Sequence, residues 1–300
     1  MIKRTLFFGN PVYLSTRLEQ LIIKYPNSDK KSTSVPIEDI SFVVLENSQI
    51  TITNSLLTKL AQNKSVVFTC DERHLPCSLI SPIVGHTQQS QRIRHQVNAS
   101  LPLKKQLWKQ TVISKIENQA NLLRLIGKNP VRLNRLSKKV KSGDSENCEA
   151  IAAAFYFQNL FNLSEFSRNQ KGIPPNNLLN YGYSILRGIT ARAIVGSGLL
   201  ATVGLKHQNK YNPFCLADDI MEPYRPFVDS IVVNLVESGM NIKSLNAEIK
   251  SELLKTSSMD VLINKKRSPL MIAMSITTNS LFESFAKIRR KIIYPEFPIC

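Results

Sequence analysis

The 300-residue sequence predicts an α+β protein in two parts, a strand-rich N-terminal module followed by an all-helical domain. Short segments rich in β-branched and aromatic residues are confined to the first 80 or so positions. After Pro102 apolar residues recur at helical spacing. Between them, from about Ile83 to Leu101, the composition turns polar, with QQSQRIRHQ at its centre. The expected boundaries are a β-rich module over 1–84, a linker over 85–101 and a helical domain over 102–300.

In the first part, TLFFG, ISFVVLEN, ITIT and SVVFTC are bounded by Asn, Asp, Pro or Ser and read as strands; Leu56 to Gln62 reads as one short helix. Low charge and strand richness suit a module built for packing or dimerisation. In the second part, PLKKQLWKQTVISKIENQANLLRLIG carries Leu107, Val112, Ile113, Ile116, Ala120 and Leu123 at helical spacing and ends at Gly127. PVRLNRLSKKVK follows as a dense basic rod. SGDSENCEAIAAAFYFQNLF has an N-cap candidate in Asp144 or Ser145. PPNNLLNYGYSILRGITARAIVGSG opens on prolines suited to a first turn and stops at Gly196 or Gly198.

Lys and Arg number 39 against 22 Asp and Glu, a net charge of +17. Met1 to Val84 holds nine basic and seven acidic residues, whereas Arg92 to Lys141 holds thirteen basic residues and one acid, Glu117. Charge so localised predicts a face for a polyanion, nucleic acid above all, binding through phosphate neutralisation and counterion release. Five scattered cysteines in a chain of this size suit reduced thiols in a cytoplasmic protein. The apolar start stops at Gly9-Asn10-Pro11, too short for a signal peptide, and Ile194 to Leu205, with three glycines, falls short of a membrane span. No membrane association is expected.

Three places carry chemistry. Glu149 sits in CEAIAAAFYF among apolar residues, where an ionised carboxylate needs a cation or donor; small Ala150, Ala152 and Ala153 leave room for a ligand. The alternative is an edge-of-core glutamate reaching solvent. His207 follows GLLATVGLK and gains weight only from its neighbours. In KHQNKYNPFCLADDIMEPYRPFVD, Asp219 and Glu222 are three apart and share one side of a helical turn, as ligands to a hard cation or as a solvated acidic face. Pro223 removes the N–H for the Asp219 carbonyl and Pro226 the one for Glu222, so the helix is expected to kink where the acids project. Asp218 points elsewhere, as a cap or supporting group. A carboxylate–histidine–carboxylate set suits Mg²⁺ or Mn²⁺, and in basic surroundings phosphoryl transfer. There is no GxxxxGK[ST] loop. CDERHLPC lacks the second half of a zinc site.

GDSENCEAIAAAFYF, FSRNQKGIPPNNLLNYGYSILRG and GLKHQNKYNPFCLADDIMEPYRP together resemble the CRISPR-associated integrase of spacer acquisition, the larger of the two general adaptation proteins, in the style of type II systems. The resemblance spans nearly the whole chain. It implies an N-terminal β-sandwich-like dimerisation domain and a C-terminal all-α catalytic domain. It further implies a Mg²⁺ or Mn²⁺ site made by Glu149, His207 and Glu222, with Asp219 as an additional acid. The implied partners are double-stranded and branched DNA, a second copy of the chain, a small dimeric adaptation protein completing a heterohexamer, and the RNA-guided effector nuclease of the same system. The implied activity is a metal-dependent integrase and endonuclease that joins 3′-OH ends of short foreign DNA to repeat phosphodiesters. DNA contacts are expected at Arg132, Arg135, Lys138, Lys139, Lys141, Lys206 and Arg225, with Arg168 and Asn180 as orienting groups. Two other classes stand beside this one: a basic DNA-binding scaffold without catalysis, and a DDxxE enzyme holding Mg²⁺ and diphosphate. The latter needs a second acid-rich motif, which the sequence lacks.

Overall fold

The structure is a computed structural model and describes residues 4–26, 31–72, 74, 76–80, 82–163 and 166–297; Cys300, one of the thiols expected to be reduced, lies outside them. None of the other four cysteines forms a disulfide among the described residues. The chain divides into two compact units, Met1–Gly85 and His86–Cys300. No helix among the described residues is long and apolar enough to cross a membrane.

The first unit contains β1 (Arg4–Phe8), β2 (Tyr13–Arg17), β3 (Gln20–Lys24), β4 (Thr33–Pro36), β5 (Ile40–Leu45), β6 (Thr51–Ile52), the helix α1 (Asn54–Gln62), β7 (Val66–Cys70) and β8 (Pro76–Ile80). They form two four-stranded sheets, ordered β1-β5-β7-β8 and β4-β3-β2-β6. β5 pairs in parallel with β1 and β7, and all six of its residues are buried. That is the pattern of a strand covered on both faces. Phe8, Leu14, Leu21, Ile23, Val43, Leu45 and Val67 from the two sheets share one core with Leu56 and Leu60 of α1. The Thr53 hydroxyl caps α1, accepting from the Leu56 N–H.

The second unit holds α2 (Gln89–Val97), α3 (Leu101–Leu125), α4 (Val131–Lys139), α5 (Cys148–Leu160), α6 (Asn176–Gly196), α7 (Cys215–Met221), α8 (Arg225–Glu237), α9 (Ala247–Leu254), the strands β9 (Asp260–Ile263) and β10 (Lys266–Pro269), and α10 (Leu270–Phe285). Two expectations change. Segment 85–101 is not a linker: it contains α2, whose fully buried Gln96 donates to the Leu200 and Val203 carbonyls and accepts the Leu200 N–H, all at 2.9 Å. Gln96 thus serves buried backbone, while Gln88, Ser90, Gln91 and Arg94 of the same segment face solvent. Nor is the domain all-α, because β9 and β10 form an antiparallel hairpin. Its two-residue turn, Asn264-Lys265, takes positive φ at both positions, 49° and 62°, as the twist of a tight hairpin demands.

α3 is the spine of this unit, packing against α4, α5, α7 and α8. Ser100 caps it, and Gly127, with φ of 72°, closes its end. The chain's last described stretch runs along it. Gln110 donates to the Arg290 carbonyl and accepts from the Ile292 N–H, Thr111 meets the Tyr294 hydroxyl at 2.8 Å, and Asn118 donates to the Pro295 carbonyl at 2.9 Å. α6 and α8 approach so closely at Gly182 that a Cβ there would stand 2.4 Å from Val228 Cγ1.

Candidate metal centre and nucleic-acid interface

Three helices bring the acids together. α5 starts at Cys148 because Asp144, four residues back, accepts the N–H groups of Cys148 (2.9 Å) and Glu149 (3.0 Å), fixing the turn from which Glu149 projects. Glu222 comes from the break between α7 and α8. The two prolines replace a continuous α-helix by a 3₁₀ turn over Glu222–Tyr224, in which the Glu222 carbonyl accepts from the Arg225 N–H. The buried Pro223 carbonyl, within the same 3₁₀ turn, accepts from Asn118 of α3 at 2.8 Å.

Between the two glutamates stands a residue that the sequence reading did not single out. Lys115 of α3 donates to Glu149 Oε1 at 2.7 Å, and its Nζ lies 2.6 Å from Glu222 Oε2. Arg225 Nε is 3.0 Å from Glu222 Oε1. The approaches to Glu222 are ion pairs without hydrogen-bond alignment, so buried Oε2 has no hydrogen-bond partner. Burial alone would push the Glu222 carboxyl up; Arg225 and then Lys115 outweigh it and hold it below the usual carboxylate range. Burial likewise works against the Lys115 ammonium, but Glu222 and Glu149 together raise its pKa.

His207 is half-exposed on the loop before α7. Its Nδ1 lies 2.6 Å from Asp219 Oδ1, and that bond, more than burial opposes it, raises its pKa above the ordinary value of 6.5. Trp108 of α3 meets the imidazole edge-on, with ring centroids 5.9 Å apart. Asp219 is fully buried, and its Oδ2 also accepts the backbone N–H groups of Leu205 (2.6 Å) and Lys206 (3.0 Å). Both its oxygens are therefore spent on the loop and the imidazole. Asp219, the expected additional metal acid, thus stands behind the His207 ring. Gly204 makes this possible: a Cβ there would lie 2.4 Å from the His207 carbonyl oxygen and 2.8 Å from Asp219 Oδ2.

Asp218 faces a third way, accepting from Arg187 Nε and Asn212 Nδ2, both at 2.7 Å. With Asp218, Asp219 and Glu222 each committed to different partners, the acids do not form the shared carboxylate face of a diphosphate enzyme. Among the described residues no three His, Cys, Asp or Glu side chains already stand in metal-binding geometry, because Lys115 separates the glutamates. The donor set nonetheless suits a dication. It has two carboxylates, an imidazole whose Nδ1 is engaged by a carboxylate so that Nε2 is left to face a ligand, and a buried Glu222 oxygen whose close approach to Lys115 lacks hydrogen-bond geometry.

The basic residues fall into two groups. Arg132, Arg135, Lys138 and Lys139 of α4 are exposed, as are Lys141 and Lys206; Arg132 lies over Phe155 and Lys141 pairs with Glu146. Arg225 belongs inside: besides Glu222 it meets the Tyr183 ring, 4.6 Å from its centroid. Tyr183 and Tyr156 donate to buried Asp229 at 2.5 and 2.7 Å, and burial pushes that carboxyl up to about 6. Arg168, the expected orienting group, donates to Asn176 (2.9 Å) and Asn180 (2.8 Å) and lies over the other side of this network at Tyr183. Both orienting candidates thus hold the loop before α6, and their route to the acids runs through Tyr183 and Arg225.

Comparison with known proteins agrees with this architecture. The family model described as "CRISPR associated protein Cas1" matches residues 6–265. The CRISPR-associated endonuclease Cas1 of Neisseria meningitidis serogroup C (strain 8013) is 39% identical over 282 residues, 93% of this chain and 91% of that protein. Among solved structures, a casposase bound to integration product superposes with a TM-score of 0.79 at 19% identity, covering 97% of this chain and 92% of the other. A chain of a Cas6-RT-Cas1–Cas2 complex superposes with a TM-score of 0.74 at 19% identity, covering 99% of this chain and 36% of the other. These two share the fold. With most of its length matched by the family model and by a relative of this identity, the chain belongs to the CRISPR-associated Cas1 family.

Proposed function

We propose that the protein is a metal-dependent DNA integrase and endonuclease that inserts short foreign DNA into a CRISPR array, joining 3′-OH ends to repeat phosphodiesters. The observation that carries this is the convergence of Glu149 and Glu222, from separate helices, on one cation-sized position beside a half-exposed histidine with a carboxylate behind it. Family membership and the fold shared with an integration-product complex support it. Glu149, His207 and Glu222 would hold Mg²⁺ or Mn²⁺, with Asp219 orienting the imidazole. Such an ion, when bound, supplies the Lewis acidity that turns a 3′-hydroxyl or water into a nucleophile and offsets charge developing on the phosphate. Arg225 balances Glu222 and fixes its carboxylate. Asp219 keeps the His207 ring in one tautomer. The exposed cations of α4 with Lys141 and Lys206 neutralise DNA phosphates.

The partners follow the same reading: a second copy docking through the β-rich unit, a small dimeric adaptation protein of the Cas2 kind bridging two such dimers in a heterohexamer, and the effector nuclease of the same system. The test is incubation with Mn²⁺ and a branched DNA carrying a free 3′-OH, with and without the small partner. Strand-transfer and cleavage products are expected, and duplex binding without either product would leave only the scaffold reading.

Two further results are expected. Lys138→Ala with Lys139→Ala should weaken duplex binding and flatten the plot of log K against log salt by about two, close to one for each phosphate no longer neutralised. An unchanged slope would remove α4 from the interface. Manganese affinity should rise with pH. Because Asp219 raises the His207 pKa, the imidazole keeps its proton past pH 6.5, and a ligand must shed it. The titration midpoint should therefore lie above 6.5, whereas affinity flat from pH 6 to 9 would take His207 out of the ligand set.

A further inference from the structure

We infer that Lys115 is a built-in counter-cation of this centre: its ammonium occupies the place between Glu149 and Glu222 in the metal-free protein and must be displaced when the dication enters. The inference rests on the metal-site reading above. Lys115 lies on α3, which contributes none of the proposed ligands, yet it is buried like Glu222 and more deeply than the partly exposed Glu149. It touches both at ion-pair distance, 2.7 and 2.6 Å. A lysine placed only for packing would carry its charge to solvent along its flexible stem. Here Trp108, one face-repeat earlier on α3, covers the imidazole, and the helix is pinned at Asn118 to the Pro223 carbonyl next to Glu222. The ammonium is thus delivered to the carboxylates by a rigid element.

Two close carboxylates, Glu222 buried and Glu149 partly so, repel each other unless a positive charge separates them. Lys115 supplies that charge, so the folded chain keeps Glu149 and Glu222 converged without metal. The same contact competes with the metal. A dication cannot share the position with the ammonium, so apparent affinity is reduced by the fraction of molecules in which Lys115 occupies it. Lys115 is a positioning residue in this account. It sets a threshold on metal loading and leaves the phosphate chemistry to the ligands.

The experiment measures Mn²⁺ binding to the full-length protein by the loss of the free-ion electron paramagnetic resonance signal, without DNA. Wild type, Lys115→Met and Lys115→Gln are compared, the glutamine keeping donors for both carboxylates should the methionine fail to fold. Removing the charge is expected to tighten Mn²⁺ binding by at least about tenfold. Lys115→Arg, which retains it, should bind no more tightly than wild type. A misfolded or merely loosened site would bind more weakly, so the direction separates the two roles. Wild-type binding with equal or weaker binding in both neutral variants overturns the role of Lys115 alone. No Mn²⁺ binding by any of the four proteins overturns the metal site and this inference with it.

Discussion

Glu149→Ala and His207→Ala are each expected to lower strand transfer and cleavage by at least about a hundredfold, while affinity for duplex DNA stays within about twofold of wild type. Groups one shell removed from a metal already cost 10–100-fold when lost, so removal of a direct ligand sets that as a floor. The two substitutions leave the fold standing for different reasons. Glu149 is at the accessible edge of its helix, and without it Lys115 still pairs with Glu222. His207 is half-exposed on a loop that Asp219 continues to hold through the Leu205 and Lys206 N–H groups. Neither belongs to the exposed basic surface of α4. Gel-shift titration beside a strand-transfer assay on the same preparations checks both halves. Wild-type product yield from either variant would end the ligand assignment, and a parallel collapse of DNA binding would recast these residues as part of the interface.

Much of the fold was legible because the hydrophobic period changes at one place, from strand-like to helical. What escaped was polar residues doing buried work. QQSQRIRHQ reads as a linker by composition, yet Gln96 is a core residue whose amide satisfies three backbone groups of one loop. The β9–β10 hairpin was hidden because Asn264-Lys265 lacks the glycine that usually marks such a turn. At the site, the kink was readable from Pro223 and Pro226, since the missing donors have only one structural consequence. Lys115 was not, because α3 is buried on two faces. The apolar stripe through Leu107, Val112 and Ile116 draws the eye from a second one through Trp108, Thr111, Lys115, Asn118 and Leu122. A charge on an otherwise buried stripe was the available signal. Which residues Asp219 serves could not be read either. Its spacing from Glu222 is that of a shared helix face, but the loop folded back by Gly204 claims it first.

That claim makes Asp219 the residue whose replacement separates structure from chemistry most sharply. Asp219→Ala strips acceptors from the Leu205, Lys206 and His207 N–H groups and from the imidazole at a position whose own side chain is fully buried. Buried donors left unmade cost about 1–3 kcal/mol each. A loss of at least about 3 kcal/mol in urea unfolding is therefore expected, together with loss of strand transfer. Asp219→Asn is the informative partner. Its carbonyl oxygen can still take the Leu205 and Lys206 N–H groups, so the fold should survive with a loss of about 1–2 kcal/mol. Its amide then faces His207 Nδ1 as a donor, which forces the imidazole proton onto Nε2, the nitrogen needed for the metal. An isosteric carboxamide behind a working histidine is known to cost about 10⁴ in rate through this tautomer reversal in serine proteases. At neutral pH the asparagine variant should therefore unfold nearly like wild type yet lose at least about a hundredfold in strand transfer and bind Mn²⁺ more weakly. Wild-type activity and Mn²⁺ affinity in a stably folded Asp219→Asn protein would mean that His207 needs no oriented ring, and the centre would have to be rebuilt around the two glutamates alone.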